Sequence, residues 1–210
     1  MSGEGGTTMR PIRIVAASLA AAALSSGAAL AASGSQAPTP SWGLDRIDQR
    51  TRPLDGNYSW ASDGSGTSVY VFDTGVYSQH EDLSGRVVAG FDGIGDGRGT
   101  EDCNGHGTGS AGVIAGTRYG VAKAATIVPV RILDCKAGGN ATAFYAGISW
   151  AIAHHQQGTP AVAHLALAGS RNEAMNEAMR LMIADGIVVV VSAGNAGRDA
   201  CRYSPASEPS

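Results

Sequence analysis

The sequence lacks any cluster of basic residues. Its 15 lysines and arginines are scattered along 210 residues and are outnumbered by 18 aspartates and glutamates, which leaves a formal net charge of −3. A surface that binds nucleic acid concentrates positive charge, so we expect no nucleic-acid partner. The hydrophobic fraction of 43% is ordinary for one globular domain with a buried core.

A strongly apolar membrane span is also lacking. The run that follows Arg10 and Arg13 is rich in alanine, is interrupted by serine and glycine at 25–27, and has no stop-transfer charges after it. These features argue against a membrane anchor and indicate a secretory signal peptide over 1–31, followed by a polar linker over 32–41. We therefore expect a secreted, extracellular monomer with no stable membrane association.

The sequence does not have an even number of cysteines. It has three, Cys103, Cys135 and Cys201. Thiols tend to pair in an oxidising compartment, so an odd count leaves one cysteine without a partner inside the chain.

Short apolar segments alternate with helix-like segments between residues 42 and 210. The expected strands are 67–73, 126–133, 161–167 and 186–194, and the expected helices are 106–116, 141–156 and 172–185, the last with Asn172 as its N-cap. Strands that are apolar throughout are buried on both faces. The pattern therefore predicts an α/β fold, a parallel sheet flanked by helices.

Three polar residues stand where these elements begin or end. Asp73 closes the first apolar strand, Asn195 follows the last, and His106 opens a helix-like segment. Functional groups gather at the carboxyl ends of parallel strands, so we expect the three to converge. A carboxylate orients a histidine that acts as general base, and an amide can bind the oxyanion of an acyl intermediate, which points to peptide or ester hydrolysis.

The Asp73-Thr74-Gly75 sequence has a second interpretation. The same tripeptide occurs in aspartic proteases, in which two aspartates share a proton. A single copy would require a dimer, and the alternation of strands and helices contradicts a mostly β fold. We therefore favour the hydrolase with a histidine base.

Several stretches resemble, in order and spacing, the landmarks of subtilisin-like serine proteases, in particular the proteinase K and aqualysin branch. They are "WGLDRIDQR", "VYVFDTGVYSQHEDLSGR", "DCNGHGTGSAGVIAG", "YGVAKAATIVPVRIL" and "VVVVSAGNAGRDACRYSPASEP", and together they lie within 42–210. The resemblance implies a subtilisin-like catalytic domain, truncated at its C-terminus, that hydrolyses polypeptides through an Asp-His-Ser triad. It assigns Asp73 as the triad aspartate, His106 as the general base and Asn195 as the oxyanion donor.

The resemblance also implies where a substrate lies. In this family the peptide is bound as an extra strand between two segments of the enzyme. The residues of this sequence that match the two segments and the specificity pocket are Gly138, Gly139, Ala166, Leu167, Ala168, Ser192 and Gly194.

The motif that carries the family's nucleophile, Gly-Thr-Ser-Met-Ala, does not occur in the sequence. Ser204, Ser207 and Ser210 belong to a stretch that already matches another part of the family pattern, so none is a candidate. We expect a serine endopeptidase that here lacks the segment with its nucleophile; the alternative is a catalytically inactive subtilase remnant or a non-enzymatic secreted protein. In either case, uncovered apolar faces of the sheet would favour aggregation.

Further expectations concern crosslinks and metals. The resemblance implies a disulfide between Cys103 and Cys135, and a structural calcium ion to which Pro209 would lend its carbonyl; no organic cofactor is expected. The partner that relatives provide for Cys201 has no counterpart in this sequence.

Two other groups of residues are candidate metal ligands. The acidic, glycine-rich loop 92–102 has carboxylates suited to calcium, but it lacks EF-hand spacing, and a solvated loop fits equally well. His154 and His155 are adjacent on a predicted helix, so their side chains diverge, and we expect both at the surface.

Overall fold

Apolar segments of the sequence form parallel strands at the centre of the molecule. The computed structural model describes residues 32–210, and the predicted signal peptide over 1–31 lies outside the described residues. The strands are β1 (Gly34–Gln36), β2 (Tyr58–Trp60), β3 (Ser68–Asp73), β4 (Phe91–Asp92), β5 (Thr126–Arg131), β6 (Ala161–Leu165), β7 (Gly169–Ser170), β8 (Val188–Val191) and β9 (Tyr203–Ser204). The helices are α1 (Trp42–Ile47), α2 (His106–Ala115), α3 (Ala141–His154) and α4 (Glu173–Ala184), with a 3-10 turn at Ala200–Arg202.

The central sheet has five strands in the order β4-β5-β3-β6-β8. Every neighbouring pair in it is parallel, and β3 lies in the middle, with Asp73 opposite Arg131 of β5. The predicted α/β fold with a parallel sheet flanked by helices is thus confirmed. The carboxyl ends of these strands share one edge of the sheet, which is where the candidate site lies.

Alternate residues of β3 serve two hydrophobic cores, because successive side chains of a strand point to opposite faces. Tyr70 and Phe72 belong to a core formed with α3 and α4. Val69 and Val71 belong to a second core, in which the small residues Ala111 and Ala115 of α2 pack on the sheet. This double burial explains why the strand is apolar along its whole length.

Strand β8 departs from that pattern. Val189 and Val191 pack against the core beneath α3 and α4, whereas Val188 and Val190 are 60% and 50% exposed. Among residues 32–210, the second face of the sheet is covered by α2 only near its centre. The expectation that this strand is buried on both sides holds for one of its faces.

The segment 32–41, expected to be a polar linker, contains regular structure. Strand β1 pairs antiparallel with β2, with Gly34 opposite Trp60. Gly34 is required there because a Cβ would lie 2.6 Å from the Trp60 ring. Ser41 then accepts a hydrogen bond from the Gly43 amide and caps α1. The polar composition of 32–41 did not predict β1, because β2, the strand that pairs with it, is distant in sequence.

The expectation that His155 lies at the surface is wrong. His155 is 8% exposed, and its Nδ1 and Nε2 atoms lie 2.7 Å from Asp185 Oδ2 and 3.1 Å from the Thr159 carbonyl oxygen. His154, its neighbour, is exposed, as expected. Burial of His155 is possible because both ring nitrogens have acceptors.

In the part of the chain from residue 32 onwards, none of the helices has the length and apolar character that crossing a bilayer requires.

Candidate active site

Asp73 and His106 form a hydrogen-bonded pair at the carboxyl edge of the sheet. The His106 Nδ1 atom lies 2.8 Å from both carboxylate oxygens of Asp73. Asp73 is 1% exposed, whereas the His106 side chain is 51% exposed. A carboxylate only accepts, so Nδ1 donates and the exposed Nε2 is left as the proton acceptor, which is the arrangement of a general base with its orienting carboxylate.

Two glycines let the first turn of α2 approach the end of β3. A Cβ on Gly107 would lie 2.1 Å from the Gly75 carbonyl oxygen and 3.0 Å from the Asp73 Cβ. Gly75 has a φ of 102° and leaves no room for a Cβ, which would be 2.5 Å from the Thr100 oxygen. Larger residues at either position would push His106 away from Asp73.

The start of α2 is held by an aspartate outside the helix. Its N-cap residue, Gly105, has no side chain to accept from the first amides. Asp102 does so instead, accepting from the amides of Gly105 and Thr108 at 2.9 and 3.0 Å. From the sequence, Asp102 was predicted only as one of the carboxylates of the loop 92–102 that are suited to calcium; an acidic residue just before a helix start is the signal that identifies a cap.

Arg131 organises the rest of the acidic loop. This side chain is fully buried at the end of β5, and its two terminal nitrogens lie 2.7 and 2.8 Å from the Asp96 carboxylate oxygens. Its Nε donates to the Thr74 carbonyl oxygen at 3.2 Å, next to Asp73. The guanidinium holds the pKa of Asp96 well below its usual range. Arg131 was not among the residues predicted from the sequence, although a charged residue inside an apolar strand is a signal that the sequence contains.

The expected calcium ligands are not brought together. In the loop 92–102, Asp96 pairs with Arg131, Asp102 binds the start of α2, and Asp92 accepts from the amides of Ile94 and Gly95. Pro209 is exposed, and nowhere between residues 32 and 210 do three His, Cys, Asp or Glu side chains cluster in a way that could hold a metal ion. Calcium binding therefore stays a prediction.

The predicted disulfide is present. Cys103 and Cys135 are bonded, with their Cα atoms 5.0 Å apart, and the bond joins the segment before His106 to the segment after β5. Cys201 is exposed and has no disulfide.

A cleft of about 440 Å³ opens beside His106. Its walls are the segment around Gly139 on one side and Ala166, Leu167, Ala168 and Gly169 on the other, and its floor contains Ile132, Leu133, Phe144, Tyr145 and Met175. Gly138, also predicted to bind substrate, does not line the cleft; it belongs to the adjoining turn, where its amide donates to Asp134. The two segments predicted to bind a peptide strand thus face the same cleft as the histidine.

Asn195 lies in a neighbouring hollow. That hollow is lined by Gly194, Asn195, Ala168 and Gly169, and the last two also line the larger cleft. Ser192 accepts from the Gly194 amide at 3.0 Å and fixes the turn after β8. The structure places Asn195 at the same edge of the sheet, but no hydrogen bond joins it to His106 within the described residues.

No serine hydroxyl hydrogen-bonds to the His106 ring anywhere in 32–210. Ser204 is buried away from the histidine and bonds to Asn172 and to Asn176, whose Oδ1 lies 2.7 Å away. Ser204 therefore has a structural role, in agreement with its exclusion as a nucleophile.

Comparisons with known proteins agree with this architecture. Residues 64–210 match Peptidase_S8, the subtilase family. The chain is 49% identical over 165 residues to the extracellular serine proteinase of Thermus sp. strain Rt41A, an alignment that covers 79% of this chain and 40% of the relative. It is 46% identical to alkaline serine exoprotease A of Vibrio alginolyticus, again over 79% of this chain but only 30% of the relative.

A solved structure is similar as well. It is titled "Crystal structure of a cold adapted subtilisin-like serine proteinase", and it superposes with a TM-score of 0.78 at 43% sequence identity, covering 82% of this chain and 62% of that one. The chain therefore spans less than half of the two curated relatives and under two thirds of the solved structure.

Proposed function

The chain belongs to the subtilase family, and from that membership we propose that it provides the base and the orienting carboxylate of a secreted serine endopeptidase. The observation that carries the proposal is the Asp73–His106 pair, in which His106 lines the cleft and its Nε2 makes no hydrogen bond within 32–210. Two relatives named as an extracellular proteinase and an exoprotease support an exported peptidase. The disulfide and the apolar N-terminal run are consistent with export.

In the proposed mechanism a polypeptide lies in the cleft between the segment at Gly139 and the segment Ala166–Gly169. The Nε2 atom of His106 removes the proton of a nucleophilic serine and later delivers it to the leaving amine. Asp73 keeps the proton on Nδ1 and stabilises the imidazolium. Asn195, at the same edge of the sheet, is assigned to the oxyanion that forms at the attacked carbonyl carbon.

The nucleophile of this mechanism is the serine of the Gly-Thr-Ser-Met-Ala motif, which the 210 residues do not contain. The proposal therefore applies to a polypeptide in which that motif is joined to this chain. A second candidate follows from the Nε2 atom of His106, which has no hydrogen-bond partner among residues 32–210: the 210-residue chain by itself is a catalytically inactive member of the family.

The test is to sequence the encoding DNA beyond the codon for Ser210 and to express the continuous reading frame. If the frame contains the motif, we expect hydrolysis of a fluorogenic peptide. His106→Ala should lower kcat by about a millionfold, because triad residues act as a unit. His154→Gln, at an exposed histidine away from the cleft, is the matched control and should retain activity.

The second part of the test uses the 210-residue chain alone. We expect it not to react with a fluorophosphonate probe, and stoichiometric labelling of one of its serines would refute the assignment of the nucleophile. A stop codon after Ser210 with no motif downstream, together with no peptide hydrolysis, would instead favour the inactive family member.

A further inference from the structure

We propose that Asp102 is a positioning residue for the Asp73–His106 pair and that it acts through Thr74, fixing the start of α2 against the end of β3. The inference rests on the proposed function, in which these two residues are the base and its carboxylate. Asp102 does not touch the His106 ring. It binds the residues on either side of the pair.

The carboxylate of Asp102 accepts five hydrogen bonds. Three come from backbone amides at the start of α2, those of Asn104, Gly105 and Thr108, at 2.8, 2.9 and 3.0 Å. The other two come from hydroxyl groups, Thr74 Oγ1 at 2.9 Å and Thr108 Oγ1 at 2.5 Å. One side chain thus joins the loop before His106, the first turn of α2 and the residue that follows Asp73.

Thr74 links Asp102 to both members of the Asp73–His106 pair, and the donor and acceptor of each of its hydrogen bonds can be assigned. A carboxylate has no proton to give, so the Thr74 hydroxyl must donate to Asp102. Its lone pair is then available to the Gly107 amide, which lies 3.0 Å away. The Thr74 amide donates to Asp73 Oδ1 at 2.7 Å. The residues adjacent to Asp73 and His106 are therefore tied to one another.

The pair needs such a tie because packing does not hold the histidine. The His106 side chain is half exposed. The buried residues of α2 are all small, Gly107, Ala111 and Ala115, and the one larger side chain of the helix that packs on the sheet, Ile114, is only partly buried. Burial alone would raise the pKa of Asp102, but the hydrogen bonds from Gly105, Thr108 and Asn104 outweigh it and lower that pKa. Asp102 is accordingly ionised, and acceptor only, at neutral pH.

The experiment compares Asp102→Asn and Thr74→Val with Thr74→Ser in the full chain. Valine has the shape of threonine without the hydroxyl, and serine retains the hydroxyl. Asp63→Asn is the matched control, since Asp63 also accepts an amide hydrogen bond, from Ser65 at 2.9 Å, in a loop remote from the pair. Circular dichroism verifies that each variant is folded.

The first readout is the proton NMR signal of the His106 Nδ1–H group, identified by selective ¹⁵N labelling of histidine. A proton held between imidazole and carboxylate resonates far downfield, and a general loss of stability does not move it in the folded state. We expect the signal in the wild type, in Thr74→Ser and in Asp63→Asn. We expect it to be shifted upfield or lost by exchange in Thr74→Val and in Asp102→Asn.

The second readout applies to the polypeptide that hydrolyses peptides. Misplacing the base affects the chemical step, so Thr74→Val and Asp102→Asn should lower kcat by about ten- to a hundredfold. KM should stay within about twofold, because neither residue lines the cleft. Thr74→Ser should restore most of kcat.

The outcomes separate this inference from the proposed function. An unchanged downfield signal in both Asp102→Asn and Thr74→Val, or its absence from the wild type, would overturn the positioning role whether or not peptides are hydrolysed. If the polypeptide that contains the nucleophile motif hydrolyses no peptide, while the signal is present in the wild type and lost in both variants, the proposed function is wrong and Asp102 is still the residue that positions the pair.

Discussion

At the scale of single residues, two buried basic side chains of this protein are paired with aspartates from elements that are distant in sequence. Arg131 at the end of β5 binds Asp96 of the acidic loop, and His155 after α3 binds Asp185 after α4. Such pairs contribute little to stability when water can replace one partner. Removing one partner destabilises the protein strongly only where the other charge is left buried. His155 meets that condition, because its side chain is 2% exposed.

The His155–Asp185 pair should make stability depend on pH. Burial alone would lower the pKa of His155, but its hydrogen bonds to Thr159 and Asp185 outweigh burial and raise that pKa. Because the pKa of His155 is higher in the folded than in the unfolded protein, protonation of His155 stabilises the folded state. This stabilisation is complete below the pKa of the unfolded state, about 6.5, and is lost as the pH rises through the pKa of the folded state. The hydrogen bond from His155 lowers the pKa of Asp185, so the stabilisation that the Asp185 carboxylate provides is lost only at acidic pH.

We therefore expect Asp185→Asn to lower the melting temperature more at about pH 5.5 than at about pH 9. Asp199→Asn removes another carboxylate that accepts a backbone amide, that of Cys201, but has no histidine partner. Asp199→Asn should therefore change the melting temperature by the same amount at both pH values. Thermal unfolding of both variants followed by circular dichroism would decide the point, and an equal loss for Asp185→Asn at the two pH values would contradict the assignment.

At the scale of elements, α2 begins with the histidine of the Asp73–His106 pair and consists mostly of small residues. Its sequence, HGTGSAGVIA, contains three glycines and two alanines in ten residues. The glycines are not equivalent: Gly107 is fixed by contact with the end of β3, whereas no atom beyond the helix lies within 4 Å of a Cβ built at Gly112. Close approach, rather than helix formation, explains the glycine at Gly107.

This difference predicts opposite effects of the same substitution. Gly107→Ala should destabilise the protein by about 1 to 3 kcal/mol, since its methyl group would overlap the Gly75 carbonyl oxygen. Gly112→Ala, the control on the same helix, should stabilise it by up to about 1 kcal/mol, because alanine has the higher helix propensity. Urea unfolding of both variants measures the difference. Equal effects would mean that α2 does not approach β3 as closely as described.

At the scale of the whole molecule, the central sheet ends in a strand that is only half covered. Strand β8 is the last in the order of strands, and Val188 and Val190 are at least half exposed on one of its faces. An exposed hydrophobic strand at a sheet edge pairs readily with other chains. We therefore expect any aggregation of the chain to involve this strand.

Replacing both exposed valines should improve solubility. In the 210-residue chain, Val188→Thr combined with Val190→Thr retains β-branched side chains and removes apolar surface at the edge. We expect a higher monomer fraction in size-exclusion chromatography across a concentration series. Leu181→Gln removes an exposed leucine of similar exposure, 52%, from α4 and is the control. If that variant improves solubility as much, the sheet edge is not the site of association.

Much of the fold could be predicted because the relevant signals are local. Apolar runs predicted β3, β5, β6 and β8, and helical spacing with the N-cap at Asn172 predicted α3 and α4, each within a few residues of its ends. Asp73 and His106 could be paired in advance because parallel strands bring their carboxyl ends to one edge whatever the details of packing.

What the sequence determined by itself was the alternation of strands and helices and the polar residues at their ends, which predicted the pairing of Asp73 with His106; the family followed from stretches that resemble subtilases. The tertiary structure alone decided that 34–36 is a strand, that His155 is buried, that Arg131 and Asp102 hold the acidic loop around the site, and that Asn195 lies in a separate hollow. The physical reason is range. Periodicity and capping act over a few residues, whereas a buried charge or an edge strand is satisfied by a partner from a distant part of the chain, and only packing brings that partner close.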